Sequence, residues 1–333
     1  MHVSPAAWII TCLVILGLFI FDFFAHVRVP HAPTLRESGF WSVVYISVAA
    51  IFGLIVWWKW GGTAGGEYFA GYVTEKALSV DNLFVFVIIM SKFAVPREYQ
   101  QKVLLLGIVM ALIMRGMFIA VGAAAINAYS WVFYLFGAFL IFTAIKLIRE
   151  SDDPVEHEQE RESRLERFVR RRLRTTDTYA GDKLFTIANG RRMATPLLLV
   201  LIVIGFTDLL FALDSIPAIY GLTQQPYLVF TANAFALMGL RQLYFLLGGL
   251  LDRLIYLSYG LSFILAFIGV KLVMHALHEN TLPFLNGGEH VAVPEISTPV
   301  SLLVIVVTLV VTTIASLTVS RRRDADSPEP TQP

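Results

Sequence analysis

The sequence predicts an all-α, polytopic membrane protein with about nine transmembrane helices, six of which form two inverted three-helix repeats. Three observations predict this class: an apolar composition, nine long apolar stretches, and a recurring pattern of charged residues inside those stretches. Of the 333 residues, 56% are hydrophobic and 15% are charged, whereas soluble domains carry about 25% charged residues. The composition therefore excludes an ordinary water-soluble globular fold.

Charge and motif content limit the function further. The net charge is +1, so we expect no nucleic-acid partner. The single cysteine, Cys12, rules out a disulfide framework or a cysteine-based metal cluster. The sequence contains no P-loop, nucleophile elbow or HExxH zinc motif. We therefore expect no enzymatic activity and no bound cofactor.

Apolar stretches of about 20 residues cross a bilayer as helices, because hydrocarbon tolerates only a backbone whose hydrogen bonds are satisfied internally. The nine predicted spans are 6–24, 41–60, 67–93, 103–124, 131–147, 195–220, 227–247, 255–275 and 300–319. Basic residues follow the first span rather than precede it, so we expect it to be retained and not cleaved as a signal peptide.

The positive charges predict the orientation. Most of the 26 Lys and Arg residues lie after spans 1, 3, 5 and 7 or in the C-terminal tail, and such connections stay in the cytoplasm. We therefore expect the N-terminus outside and the C-terminus inside. The predicted segments are 1–66 with two N-terminal spans, 67–148 with the first repeat, 149–194 as a cytoplasmic loop, 195–275 with the second repeat, 276–320 with an outer loop and the last span, and 321–333 as a disordered cytoplasmic tail.

The long loop at 149–194 changes from acidic to basic along its length. Such a run is typical of a solvated, partly disordered segment, and docking of a protein partner is the alternative interpretation.

Charged residues inside the spans indicate the repeat. In each unit an acidic residue is followed six residues later by an aspartate, and an arginine lies near the predicted midplane of the next span. The residues are Glu75, Asp81 and Arg115 in the first unit, and Asp208, Asp214 and Arg241 in the second. Because each unit has three spans, the second unit is inverted in the membrane, a layout common among secondary transporters.

These residues form a predicted divalent-cation site. Ionisable groups at mid-membrane cost about 2.5–3.5 kcal/mol each, and oxygen ligands suit Mg²⁺, Ca²⁺ and Mn²⁺. The candidate ligands are Glu75, Asp81, Asp208, Asp214, Asn82, Ser215 and Asn233. Arg115 and Arg241 are expected to face the acids as countercharges; the alternative is that these pairs merely lock the helix bundle.

Two further expectations concern local geometry. Positions six apart on a continuous helix point about 120° apart, so the two acids of one unit converge only where the helix is unwound, and Pro217 is the predicted place in span 6. Asp22, four residues before His26, is a candidate gating residue at the cytoplasmic end of span 1, with an interfacial role as the alternative.

Four long stretches resemble the TerC/Alx family of integral membrane proteins. They are GYVTEKALSVDNLFVF at 71–86, VPREYQQKVLLLGIVMALIMRGMFI at 95–119, FTDLLFALDSIPAI at 206–219 and NAFALMGLRQLYFLL at 233–247. The resemblance covers nearly the whole chain apart from 149–194 and the tail. One departure is Gly205, where members usually have a glutamate.

The family is named for tellurium resistance, and its members are associated with manganese efflux. The resemblance therefore implies a transporter of the bacterial inner membrane that exports Mn²⁺, with Glu75, Asp81, Asn82 and the acids and serine of the second repeat as metal-pathway residues. The alternative function is a non-transporting membrane scaffold for a metal-stress or tellurite-resistance complex.

Overall fold

The computed structural model describes residues 1–27, 31–129, 131–150, 175–176, 178–188, 191–247, 256–279, 293–294 and 296–326. Within these residues the chain forms ten α-helices and one β-hairpin. The helices are α1 (Pro5–Asp22), α2 (Leu35–Trp60), α3 (Gly62–Lys92), α4 (Arg97–Ala128), α5 (Val132–Glu150), α6 (Pro196–Tyr220), α7 (Pro226–Leu237), α8 (Leu240–Leu247), α9 (Leu257–Glu279) and α10 (Thr298–Asp326).

Local sequence signals explain where several helices begin and end. Thr34 caps α2 by accepting a hydrogen bond from the backbone N–H of Glu37 at 3.2 Å, which satisfies one of the free N–H groups at the helix start. Gly61 separates α2 from α3 with φ +91°, a conformation that glycine adopts at little cost. Proline occupies the first helical position of α6 and α7, where its missing N–H removes no helical bond.

Seven of the described helices are long and apolar enough to cross a membrane: α1 with the π-helical turn that extends it, α2, α4, α5, α6, α9 and α10. The prediction of a polytopic all-α membrane protein is therefore confirmed. Helix α3 has 31 residues, or about 46 Å, but its sequence carries several charges. Nine crossings and inverted repeats stay predictions.

The structure breaks a helix at Gly239 rather than at Pro217, the position that the sequence predicted. Pro217 lies inside α6, which continues to Tyr220, and the N–H of Gly221 still bonds to the carbonyl of Pro217 at 3.0 Å. The predicted span 227–247 is instead divided into α7 and α8 at Met238 and Gly239, where Gly239 has φ +75°. The expectation of unwinding at Pro217 is wrong, because a proline one turn from a helix end removes only one bond there.

Contacts between helices fix their relative directions. Helix α1 runs parallel to α7 and α8, and α4 runs parallel to α6, whereas α5 and α9 are antiparallel. The contacts that show this are Thr11 with Tyr227, Asp22 with Arg241, Arg115 with Asp208, Ile119 with Tyr220, Gly137 with Val273, and Ile141 with Gly269. These directions agree with the alternation that nine successive crossings require.

Helices α5 and α9 touch through their backbones. A Cβ atom built on Gly137 would lie 2.8 Å from the carbonyl oxygen of Gly269, and one built on Gly269 would lie 2.9 Å from the carbonyl oxygen of Gly137. Such a mutual approach is possible only where neither helix carries a side chain. A cluster of buried apolar residues, including Leu140 and Leu265, surrounds this contact.

A β-hairpin interrupts the segment that was expected to be partly disordered. Strand β1 (Phe185–Ala188) pairs antiparallel with β2 (Arg191–Ala194), so the end of the loop is ordered, and partial disorder of the loop stays a prediction. The intervening pair, Asn189 and Gly190, is a typical hairpin signal. The backbone of α10 stays helical to Asp326, and disorder of the C-terminal tail stays a prediction. Residues 151–174 and 327–333 lie outside the described residues.

Candidate functional site

Three buried charges meet where α3, α4 and α6 pack together. Arg115 of α4 and Glu75 of α3 have no exposed surface, and Asp208 of α6 is 2% exposed. Arg115 reaches this position because it continues the buried stripe of α4, which includes Gly107 and Ala111. These three residues, together with Ser79 and Ser215, are called the Arg115 cluster below.

The guanidinium of Arg115 joins two carboxylates from different helices. Its Nε and Nη2 each donate to one oxygen of Asp208 at 3.1 Å, a forked geometry that fixes both side chains. Its Nη1 donates to Glu75 Oε1 and, at 3.2 Å, to Ser215 Oγ. Ser79 Oγ also donates to Glu75 Oε1, at 3.4 Å. With both carboxylates ionised, one cation faces two anions and the cluster carries an excess negative charge.

Some buried polar atoms near this helix junction have no hydrogen-bond partner in the described part of the chain. They are Glu75 Oε2, both amide atoms of Asn233, and Thr74 Oγ1. Asn233 is fully buried on α7, a helix that packs against α3 and α4. Because an unpaired buried polar atom costs about 1–3 kcal/mol, such atoms call for a polar occupant such as water or a cation.

The structure brings together only part of the predicted ligand set. Glu75, Asp208 and Ser215 meet at Arg115, so convergence occurs between two continuous helices rather than within an unwound one. Asp214 is half-buried six residues beyond Asp208; it makes no described hydrogen bond or ion pair with Arg115, but it interacts electrostatically with both Arg115 and Glu75. Asn82 is buried on α3. The side chain of Asp81 lies outside what the structure describes. No group of three metal-binding side chains was found among the described residues.

Arg241 contradicts the expectation that it faces the same acids. Its Nη2 donates to Asp22 Oδ1 at 2.7 Å, and its Nη1 donates to Gln101 Oε1 at 2.7 Å. Gln101 lies 14 residues before Arg115 on α4, or about 21 Å along the helix. Arg241 is therefore far from the Arg115 cluster, because α8 begins after the break at Gly239 and ends near the first turns of α4.

Asp22 gathers several donors at one oxygen. Tyr45 OH donates to Oδ1 at 2.6 Å and Gln242 Nε2 at 3.3 Å, and His26 Nδ1 lies 3.3 Å away. With His26 neutral, the Arg241–Asp22 pair has no net charge. We call these residues, with Gln101, the Arg241 cluster. The sequence pattern singled out Asp22 but gave no sign that Arg241 is its partner.

A polar cavity of about 440 Å³ opens at the Tyr220 end of α6. It is lined by Glu67, Thr223, Gln224 and His275. Thr223 donates a hydrogen bond to Glu67 at 2.5 Å, and Gln224 Nε2 lies 2.8 Å from His275 Nε2. Tyr220 is five residues beyond Ser215, so about 7.5 Å of helix separates the cavity from the Arg115 cluster.

Comparison of the sequence with known proteins identifies several relatives. The model of the family described as "Integral membrane protein TerC family" matches residues 60–324. An uncharacterized membrane protein of Mycobacterium bovis is 52% identical over 324 residues, which cover 97% of this chain and 82% of the relative. A membrane protein of Myxococcus xanthus is 41% identical over 273 residues, covering 81% and 84% of the two chains.

An Escherichia coli protein named "Putative membrane-bound redox modulator Alx" is 40% identical over 258 residues, which cover 74% of this chain and 78% of the relative. No solved structure matches. The resemblance inferred from the four stretches of sequence is thereby confirmed.

Proposed function

The chain belongs to the TerC family of integral membrane proteins. We propose that it transports a divalent metal cation out of the bacterial cytoplasm, and that this cation is Mn²⁺. The observation that carries this proposal is the Arg115 cluster, in which one buried guanidinium faces two carboxylates. Intramembrane charges of this kind are costly and typically mark a substrate pathway.

The chemistry of the cluster fits a hard divalent cation. Glu75 and Asp208 offer carboxylate oxygens, and Ser215 offers a hydroxyl. These are the ligands that Mg²⁺, Ca²⁺ and Mn²⁺ prefer, whereas Cu⁺ prefers sulfur and Zn²⁺ favours histidine and cysteine. Glu75 Oε2 has no partner and is a further oxygen ligand of the cluster, and Asn233 offers an unpaired amide oxygen on α7, which packs against α3 and α4.

Arg115 acts as an internal countercharge while no metal is bound. A divalent ion entering between Glu75 and Asp208 must displace the guanidinium, because both share the same carboxylate oxygens. When the ion leaves, the guanidinium bonds again to both Glu75 and Asp208. The polar cavity beside Glu67 supports a route, since it brings a carboxylate close to the Tyr220 end of the same helices. Asp81 and Asp214 are proposed as further residues along that route.

Gly205, where family members usually have a glutamate, changes the ligand count of the proposed site. Any side chain at Gly205 would collide with the terminal methyl group of Met110, so the thioether occupies the space that a larger residue would need.

The test is metal transport by purified protein in liposomes that contain an indicator quenched by Mn²⁺. Glu75→Gln and Asp208→Asn should each lower transport at least about tenfold, the loss that even outer-shell changes cause at metal sites. Asp182→Asn is the matched control, because Asp182 is a partly exposed carboxylate outside the cluster. Parental transport by both cluster variants would show that these acids only hold the helices together.

A second candidate is the scaffold function, which the hairpin favours. Ile187 is 79% exposed and Phe185 43% exposed on the same face of β1, and the guanidinium of Arg192 lies 4.5 Å above the Phe185 ring. This apolar and basic surface is typical of a docking site. Deleting the hairpin should abolish a scaffold's phenotype but spare Mn²⁺ transport in liposomes.

The name of the Escherichia coli relative refers to redox modulation. Thiol–disulfide exchange within one chain needs two cysteines, and this chain has only Cys12. We therefore propose no intramolecular thiol exchange here.

A further inference from the structure

The break between α7 and α8 presents helix carbonyl groups to the protein interior. Helix α7 ends at Leu237, Met238 is extended with φ −61° and ψ 138°, and Gly239 has φ +75°. The last carbonyls of a helix have no partner within it and form the negative end of its dipole. Ala236 is fully buried and Met238 is 4% exposed, so bulk water does not solvate this end.

Lys76 occupies this carbonyl end. Its Nζ donates to the carbonyl oxygen of Ala236 at 2.9 Å and to that of Met238 at 3.2 Å. Lys76 comes from α3 and directly follows Glu75, whose carboxylate contacts Arg115. Two successive residues of α3 therefore hold two different partners, the guanidinium of the Arg115 cluster and the open end of α7.

We propose that the carbonyl end of α7 is a binding site for a monovalent cation, and that Lys76 fills it with its own side chain in place of an inorganic ion of the Na⁺ class. Carbonyl oxygens at the ends of discontinuous helices bind Na⁺ or H⁺ in many secondary transporters. A hydroxyl or amide side chain could satisfy the same carbonyls without bringing a charge into the interior, whereas a lysine supplies the cation that the site attracts.

This assignment has a direct consequence for transport. Only this part of the inference rests on the proposed function. Because Lys76 is covalently part of α3, the wild-type chain needs no Na⁺ or K⁺ to keep α7 and α8 in their bent arrangement. Removing the side chain should convert this independence into a requirement for an inorganic monovalent cation.

The first experiment measures binding without transport. Purified full-length Lys76→Ala in detergent is heated in choline chloride, NaCl, KCl or LiCl of equal ionic strength, and the unfolding midpoint is recorded. We expect the wild type to unfold at the same temperature in all four salts. Lys76→Ala should unfold at a lower temperature in choline and be stabilised by one of the inorganic cations, because a ligand that binds only the folded state raises the midpoint.

Lys59→Ala is the matched control, because the Lys59 side chain is exposed at the end of α2, with Nζ 4.8 Å from the Trp60 ring centre. It should respond to salt as the wild type does. Lys76→Ser is a second variant that leaves a similar space. Equal midpoints in all four salts for both Lys76 variants would overturn the proposal. Failure of both to fold in every cation would overturn it too, since a real cation site is rescued by its ion.

The second experiment measures Mn²⁺ transport in liposomes with choline or the stabilising cation on both sides. Lys76→Ala should lose about tenfold in choline, a typical size for coupling between two sites, and recover with the cation. If the wild type transports no divalent metal, the proposed function fails while the unfolding measurement still decides the cation site. If transport by Lys76→Ala ignores the cation that stabilises it, the coupling role is wrong.

Discussion

The Arg115 cluster and the Arg241 cluster solve the problem of a buried arginine in different ways. Both guanidinium groups are buried, and each contacts a carboxylate from another helix. Arg115 is shared between two acids, and one oxygen of Glu75 is left without a partner. Asp22, in contrast, receives donors from three side chains at a single oxygen and is matched by one arginine.

The difference shows that burial of an arginine alone does not identify a transport site. The Arg241–Asp22 pair balances one positive with one negative charge, so it stabilises the packing of α1, α2 and α8 and has no excess charge to attract an ion, although Arg241 Nε has no partner among the described residues. An excess of negative charge is costly in a low-dielectric interior unless a cation visits it. The excess carboxylate at Arg115, rather than the arginine, is therefore what separates the two clusters.

The largest expected effect comes from Arg115→Leu, which leaves two buried carboxylates without a cation. Breaking a buried pair in this way costs about 3–5 kcal/mol, so most of the protein should fail to reach the monodisperse folded state in detergent. The triple variant Arg115→Leu, Glu75→Gln, Asp208→Asn should fold again but transport no Mn²⁺. A stable, active Arg115→Leu protein would remove the charge argument.

Arg241→Leu should have a smaller effect, because Tyr45 and Gln242 still donate to Asp22. We expect a loss of about 2 kcal/mol, the range for a hydrogen bond to a charged group, measured as a lower unfolding midpoint, with Mn²⁺ transport still detectable. Adding Asp22→Asn should recover part of the stability. A well-folded Arg241→Leu protein without any transport would instead give this cluster a gating role.

The smallest effect is expected at the exposed ion pair between Lys102 and Asp182, which joins α4 to the turn before β1 at 2.7 Å. The hydrogen bond from Lys102 holds the pKa of Asp182 below its usual value of 3.8. The contact therefore contributes stability above that value and loses it as the pH falls through the lowered pKa. In the wild type the protection of the hairpin amides, corrected for their slower intrinsic exchange in acid, should fall as the pH drops through this range.

The control for this pair is Lys102→Met, in which the hairpin should exchange slightly faster at neutral pH and show a weaker acid response. Surface pairs of this kind contribute little, so the folded fraction should not change. An acid response as strong as in the wild type would show that another group controls the hairpin.

Much of the helical layout follows from hydropathy, because each span needs only its own residues to be apolar. Helix α6 begins one residue after the predicted start and ends at the predicted residue. The meeting of Glu75, Asp208 and Arg115 was also predictable, since charges in apolar helices must find one another.

The break at Gly239 and the pairing of Arg241 were not predictable in the same way. Gly239 interrupts an apolar run without changing its hydropathy, and it lies close to Tyr45, where an added Cβ would be 3.0 Å from the Tyr45 Cβ. Asp22 and Arg241 are 219 residues apart in sequence. Both features depend on contacts between distant segments, which no local pattern records.

The backbone contact between Gly137 and Gly269 has a consequence for how this sequence can change over time. Most buried positions accept a different side chain when a neighbour shrinks or grows to compensate. Here each glycine faces a carbonyl oxygen of the other helix, and a main-chain atom cannot be replaced by mutation. A substitution at either glycine therefore cannot be compensated by a change in a neighbouring side chain. We expect both positions to stay glycine while other core residues are exchanged one by one.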